Sequence, residues 1–193
     1  MIWNRALLCT ASLFAAIGSC QVRANGADLR ESFSVEIRKA SKVLLVKAGE
    51  TIERQFRVAI GSGGAGDKQR VGDNKTPVGV YRIVGFRAES PFHYFIQIGY
   101  PNIKDAFQGL KSQLISQGEF DRIVDALKTG NVPPQNTALG GSIGIHGIGE
   151  TTPARLTIHQ NINWTHGCIA LTNSEVMDLT HYVRIGTRVE ITD

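Results

Sequence analysis

Cysteine is nearly missing from this chain: there are three, and two of them, Cys9 and Cys20, fall within the first twenty residues. That scarcity excludes a disulfide-stapled scaffold. Cys-x-x-Cys, His-Glu-x-x-His and clustered carboxylates are absent too, so no metal and no cofactor are expected. A basic stripe is also lacking. The 21 Lys and Arg are scattered singly among 17 Asp and Glu, and the net charge is only +4. Nucleic acid is therefore not an expected partner, although an anionic polymer stays compatible. Nor does the apolar stretch Ala6–Cys20 reach the roughly 20 residues that a membrane span needs.

With Arg5 ahead of it, that stretch has the length of an export-signal core. Two processing sites compete. Val22 and Ala24 put small residues where a signal peptidase reads, whereas Ile17-Gly18-Ser19-Cys20 resembles a lipobox whose cysteine becomes lipidated. Residues 1–24 are expected to be the signal, ending before Cys20 in the lipoprotein alternative. The mature protein is then expected in the periplasm or cell envelope, touching membrane only through a lipid on Cys20. Either route removes or caps Cys9 and Cys20. Cys168 becomes a lone thiol in an oxidising compartment, with no partner inside the chain, and such a thiol is a liability unless it works.

The 193 residues, 42% hydrophobic, suit one domain with a sizeable core. Residues 25–34 read as a polar lead-in and 35–193 as the domain. Alternation at Val35–Ile37, the run Val43–Val46, and the segments Ile52–Ile60, Val80–Phe86 and His93–Ile98 predict strands. Between them, the Gly-rich stretch 61–79 predicts a loop; it lacks the Lys-Ser/Thr of a phosphate cradle. The period then changes. Ile103, Phe107, Leu110 and Leu114, an interruption at Gly118, and Phe120, Ile123, Val124 and Leu127 predict a helical hairpin over about 102–130, its apolar stripes packed into a core. Short strands are expected at Ile143–His146 and Ile169–Leu171. Thr172 with Glu175 is a capping box opening a helix through Met177, Leu179, Thr180 and Val183, and Thr187–Ile191 closes as a strand.

Thiol catalysis needs a base, a group that orients it, and backbone N–H groups facing the oxyanion. His146 stands between Gly144 and Gly147, and Cys168 ends Thr165-His166-Gly167-Cys168. The glycines are expected to let a substrate carbonyl approach the backbone closely, and the Gly167 and Cys168 amides to point into an oxyanion pocket. Zinc is the rival use for His146, His159, His166 and Cys168. Taken alone, His159 and His181 read as packing or surface residues, and His93 as core or edge packing with a cleft-facing alternative.

The pair His146-Gly147, then Thr165-His166-Gly167-Cys168, preceded by Thr76-Pro77 and Gly79 within Gly72–Ile83, resembles the L,D-transpeptidase family with a YkuD-like catalytic domain. The likeness runs over about residues 35–191. It implies a mainly β fold, a bent sandwich-like sheet with the inserted helical hairpin and C-terminal helix, and the cysteine in a cleft. It implies that Cys168 attacks the amide between diaminopimelate and terminal D-alanine of a peptidoglycan tetrapeptide stem. His146 would be the base, oriented by the Gly147 carbonyl, with Thr165 and His166 supporting the loop and the Gly167 and Cys168 amides binding the oxyanion. Thr76 and Pro77 would touch substrate. The acyl group would pass to an amine on another stem, to a lipoprotein amine, or to water. Three departures bear on the acceptor. The spacer from Gly147 to Thr165 is slightly long, Ala170 stands where many relatives carry Arg or Asn, and the hairpin with Ile98–Asn102 resembles a subset that includes a hydrolase releasing lipoprotein.

Overall fold

The computed structural model describes residues 33–193, so the expected export signal with Cys9 and Cys20 lies outside the described residues. Eight strands form one sheet in the order β3-β2-β1-β8-β4-β5-β6-β7. They are β1 (Phe33–Arg38), β2 (Val43–Ala48), β3 (Thr51–Arg57), β4 (Gly79–Ser90), β5 (His93–Ile98), β6 (Gly144–His146), β7 (Ile169–Ala170) and β8 (Arg188–Thr192). The twelve-residue β4 joins the two halves. Its start, Gly79–Arg82, pairs with β8, and from Ile83 onward it pairs with β5. Register shifts between Ile83 and Gly85 and again between Arg87 and Ser90 turn the sheet as it passes from one half to the other.

Alternation puts Val35, Ile37, Leu44, Val46, Tyr81, Ile83, Ile96, Ile98, Val189 and Ile191 into one buried core. Helix α4 (Asn173–Leu179) covers it with Val176 and Leu179. The Thr172–Glu175 capping box opens α4 as the sequence predicts. The helix is shorter than expected: Thr180 caps it, and Val183 is buried beyond its end. A helix that no periodicity announces, α3 (Pro153–Asn161), fills the gap between β6 and β7.

The hairpin consists of α1 (Ile103–Lys111) and α2 (Gln117–Lys128). The break is not at Gly118, which lies inside α2. Ser116 and Glu119 form a capping box that fixes Gln117 as the first helical residue. The expectation that the whole apolar stripe of α1 packs is also corrected, since Ile103 and Phe107 are 52% and 55% exposed. The helix instead buries Asp105, Ala106 and Gly109. Asp105 belongs inside because its Oδ2 accepts from the Asn102 N–H at 2.9 Å and from the Tyr81 hydroxyl at 3.0 Å. Ala106, Ile115, Ile123 and Leu139 make a small core of the hairpin's own.

Candidate active site

Strands β6 and β7 run parallel, with Ile145 opposite Ile169 and His146 opposite Ala170. Cys168 immediately precedes β7, which puts it beside Gly144, two residues from His146 on the neighbouring strand, although 22 positions separate Cys168 from His146 in the chain. Cys168 is half-buried. Its thiol donates to the Ser142 carbonyl at 3.4 Å, and the Gly144 N–H bonds back to the sulfur. Burial pushes the thiol up to about 11, against the Gly144 bond and the nearby charges of Lys68 and Arg87.

Thr165 builds the turn that presents the cysteine. Its hydroxyl donates to the Cys168 carbonyl at 2.6 Å and accepts from the Gly167 N–H at 3.3 Å. Gly167 has φ +123°, and a Cβ there would meet the Lys75 carbonyl at 2.8 Å, so the position demands glycine. Two expectations change here. The Gly167 amide is turned inward onto Thr165 and does not point into a pocket. His166 is exposed, and its ring has no hydrogen-bond partner among the described residues, so the support comes from Thr165 alone.

His146 is buried, and its Nδ1 lies 2.7 Å from the Gly147 carbonyl. A carbonyl only accepts, so Nδ1 carries the proton and Nε2 holds the lone pair. Desolvation lowers the imidazole below its usual range, the Gly147 bond opposes this, and His159 adds to the lowering. Three aromatic rings surround it: Phe92 at 4.4 Å between centroids, Trp164 edge-on at 5.8 Å and Phe95 stacked at 6.2 Å. The glycines beside His146 do not open the backbone to substrate as expected. At Gly147 a Cβ would fall 2.5 Å from Asn173 Oδ1 and 2.6 Å from the Phe92 carbonyl, so the chain's own packing requires the glycine. Asn173, the first residue of α4, clamps this loop: Oδ1 accepts from the Ile148 and Gly149 amides at 2.9 and 3.1 Å, and Nδ2 donates to the Gly149 carbonyl at 2.7 Å.

The loop 61–79 lies under the cysteine turn. Thr76 is wholly buried, its hydroxyl accepting from the Gly61 N–H at 2.9 Å, and Pro77 is buried as well. Both side chains are shut off from solvent, and Thr76 ties the loop to Gly61. Asp73 organises the rest, accepting from Lys68 Nζ at 2.7 Å and from the amides of Gln69, Arg70 and Lys75 at 2.8, 3.0 and 3.0 Å. Burial alone would raise this carboxyl, but those four donors bring it down to about 2.

Of the remaining histidines only His159 is close enough for its charge to act on His146. His159 is buried in α3 with Nδ1 unpartnered, His181 is exposed, and His93 is exposed at φ +75° beside the β4–β5 turn. The four side chains of the zinc alternative do not assemble: among the described residues no three His, Cys, Asp or Glu side chains group as ligands. Sequence reasoning missed Ser142, Phe92, Trp164 and Asn173. Trp164 had a visible signal, since it is one of only two tryptophans and adjoins the cysteine motif. The others act through loops whose course no spacing reveals.

A model of the L,D-transpeptidase catalytic domain, YkuD, matches residues 32–191. No match was found among curated proteins. Among solved structures, the helical cell shape determining protein Pgp2 from Campylobacter jejuni is 24% identical with a TM-score of 0.54, covering 84% of this chain and 48% of its own. A variant of Pgp2 gives 22% and 0.55, with 84% and 47% covered. Bd1075 from Bdellovibrio bacteriovorus gives 21% and 0.51, with 84% and 48% covered. The chain spans about half the length of these proteins and shares their fold.

Proposed function

The chain belongs to the L,D-transpeptidase catalytic-domain family, and from that membership and the pairing of the strand that ends in His146 with the strand that Cys168 immediately precedes we propose that it is a cysteine L,D-transpeptidase of the cell envelope acting on peptidoglycan tetrapeptide stems. The observation that carries this reading is the 2.7 Å contact between His146 Nδ1 and the Gly147 carbonyl. It commits the imidazole to the tautomer whose Nε2 can accept a proton, and no metal or cofactor is needed for the chemistry that follows.

Cys168 Sγ attacks the carbonyl carbon of the diaminopimelyl-D-alanine amide while its proton passes to His146 Nε2. The C–S bond forms, and the carbonyl oxygen becomes an oxyanion facing the Cys168 N–H. Collapse breaks the C–N bond, and D-alanine leaves with the proton returned by His146. An acceptor amine then attacks the thioester, gives a proton to His146, and the C–S bond breaks to restore the thiol. A second stem as acceptor yields a cross-link, and a lipoprotein amine yields an anchor.

Mass spectrometry of the purified chain treated with a carbapenem tests the nucleophile. One covalent adduct is expected, absent from Cys168→Ala; no adduct, or one that persists in the variant, overturns the assignment. Incubation with tetrapeptide muropeptides then tests the reaction. Dimers joined through two diaminopimelates are the expected product, and tripeptide monomer alone would make the protein an L,D-carboxypeptidase instead.

A further inference from the structure

Two guanidinium groups each lie one aromatic ring away from His146, without an acid to pair with. Arg87, on β4, stands 4.4 Å above the Phe95 ring, and Phe95 is nearly parallel to the His146 imidazole, at 11°. On another side Arg155, on α3, sits 5.9 Å from the Trp164 ring, which meets His146 edge-on at 71°. Neither guanidinium has a hydrogen bond or ion pair to any other described residue, although Arg155 is half-buried. The neighbouring cations differ in this respect. Lys68 is held by Asp73 at 2.7 Å and by the Arg70 carbonyl at 2.9 Å, and Lys104 is paired with Asp67 and Asp105.

An arginine laid on an aromatic face keeps its planar fork ordered and its N–H edge open, which is the geometry that grips a carboxylate through two bonds. Leaving Arg155 half-buried and unpaired is unfavourable unless a ligand completes it, whereas Arg87 is exposed and free to meet a ligand. Beside Arg155 there is room for one. A cavity of about 340 Å³ is lined by Thr152, Ala154, Arg155, Ile158 and Trp164, with an aromatic wall, aliphatic sides and a single charge. Arg87 is close enough to the nucleophile for its charge to bear on the Cys168 thiol. The strand after the cysteine offers no cation of its own. Ala170 is fully buried, with its backbone N–H and carbonyl bonded to Ala59 at 2.8 and 3.1 Å.

We propose that Arg87 and Arg155 are the carboxylate-binding residues of the substrate cleft, each gripping one of the two free carboxylates that border the scissile amide of a stem peptide. These are the diaminopimelyl side-chain carboxylate and the terminal carboxylate of D-alanine. The inference rests on the stem-peptide reading above and adds to it the two side chains that select an anionic stem over an amidated one.

Equilibrium binding tests it without requiring turnover. In Cys168→Ala protein, calorimetry would compare three tetrapeptide stems: the free diacid, the stem amidated at the diaminopimelyl side chain, and the stem amidated at D-alanine. Each amidation is expected to weaken binding by about tenfold to a hundredfold, the worth of a hydrogen-bonded charge. Adding Arg87→Ala or Arg155→Ala should remove the response to one amidation and leave the other intact, and Arg→Lys should restore part of it. A structural role would weaken all three stems equally. Equal weakening, indifference to amidation in the parent, or no binding of any stem overturns the inference. If the stems bind with this pattern while intact protein forms no thioacyl adduct, the site stands and the transpeptidase reading falls.

Discussion

Cys168 is a weak acid where it sits, and His146 a weak base. With the thiol pushed up to about 11 by burial and the imidazole lowered by desolvation, both are neutral at pH 7. In the proposed reaction the proton therefore moves as the C–S bond forms, and not from a preformed thiolate–imidazolium pair. The pH dependence follows in sign. Acylation by a carbapenem should fall only when His146 becomes protonated, below the ordinary histidine value, because an imidazolium cannot take the proton. Alkylation of Cys168 by uncharged iodoacetamide should keep climbing through pH 9 toward about 11. A plateau already reached below pH 7 would show a preformed ion pair and defeat this account. Thr165 gives a second prediction at the same scale. Thr165→Val removes the hydroxyl that binds the Cys168 carbonyl at 2.6 Å, leaving the turn unsatisfied. The loss should be about 1–3 kcal/mol of stability in urea denaturation, with slower acylation as the turn loosens, and Thr165→Ser should retain most of both. Cys168 and His146 could be singled out in the sequence as a candidate pair because thiol chemistry restricts which residue types can serve. Ser142 was not, since its contribution is a backbone carbonyl, which any residue carries.

Elements were legible where burial imposes a period, and obscure where capping or contact with a distant segment decides. The strands of the core alternate or run apolar, and the structure places β1, β2, β4 and β5 within a few residues of their expected positions. Helix α3 was missed because only His159 is buried on it, so no apolar stripe exists to be read. Its signal was Thr152 followed by Pro153: a Thr cap whose hydroxyl accepts from the Arg155 N–H at 3.2 Å, then proline at the first helical position. The start of α4 was legible from its capping box, but not its reach. Asn173 extends back to the loop after His146 and holds three backbone groups there. Asn173→Ala should therefore do more than weaken a helix end. Losing these bonds should cost about 2–4 kcal/mol, read as a fall of several degrees in the thermal midpoint, and should slow carbapenem acylation because the Gly147 carbonyl that fixes the His146 tautomer is no longer held. Stability lost with acylation unchanged would limit Asn173 to a structural role.

The whole molecule leans on the loop 61–79, which ties the cysteine turn to the far end of the chain. Lys75 packs its carbonyl under Gly167, while the Gly66 amide binds Asp193 at 2.8 Å and Lys39 binds both Gly66 and Asp193 at 2.6 Å. Asp73 holds the middle of this loop against a Lys68 that is itself buried. Its carboxyl stands at about 2, against an ordinary 3.8. The folded state thus binds the proton less readily than the unfolded chain. The stabilisation is full above pH 3.8 and is lost as pH falls toward about 2, amounting to about 2 kcal/mol. Asp193 and Glu36 are lowered too and titrate in the same direction, so the wild-type curve alone does not isolate Asp73. The difference from Asp73→Asn does. The variant should lose about 3–5 kcal/mol at pH 7, because Lys68 is left buried without its counter-charge, and the gap to wild type should narrow as pH falls toward 2. Asp73→Asn combined with Lys68→Met should recover much of the loss, since the uncompensated charge has gone. Urea midpoints of the three proteins at pH 7 and pH 3, with carbapenem acylation at pH 7, decide it. A gap that stays constant between the two pH values would mean that Asp73 acts by shape and not by charge. Recovery of stability without recovery of acylation would place the loop's fixed charges, beyond its packing, in the reactivity of Cys168.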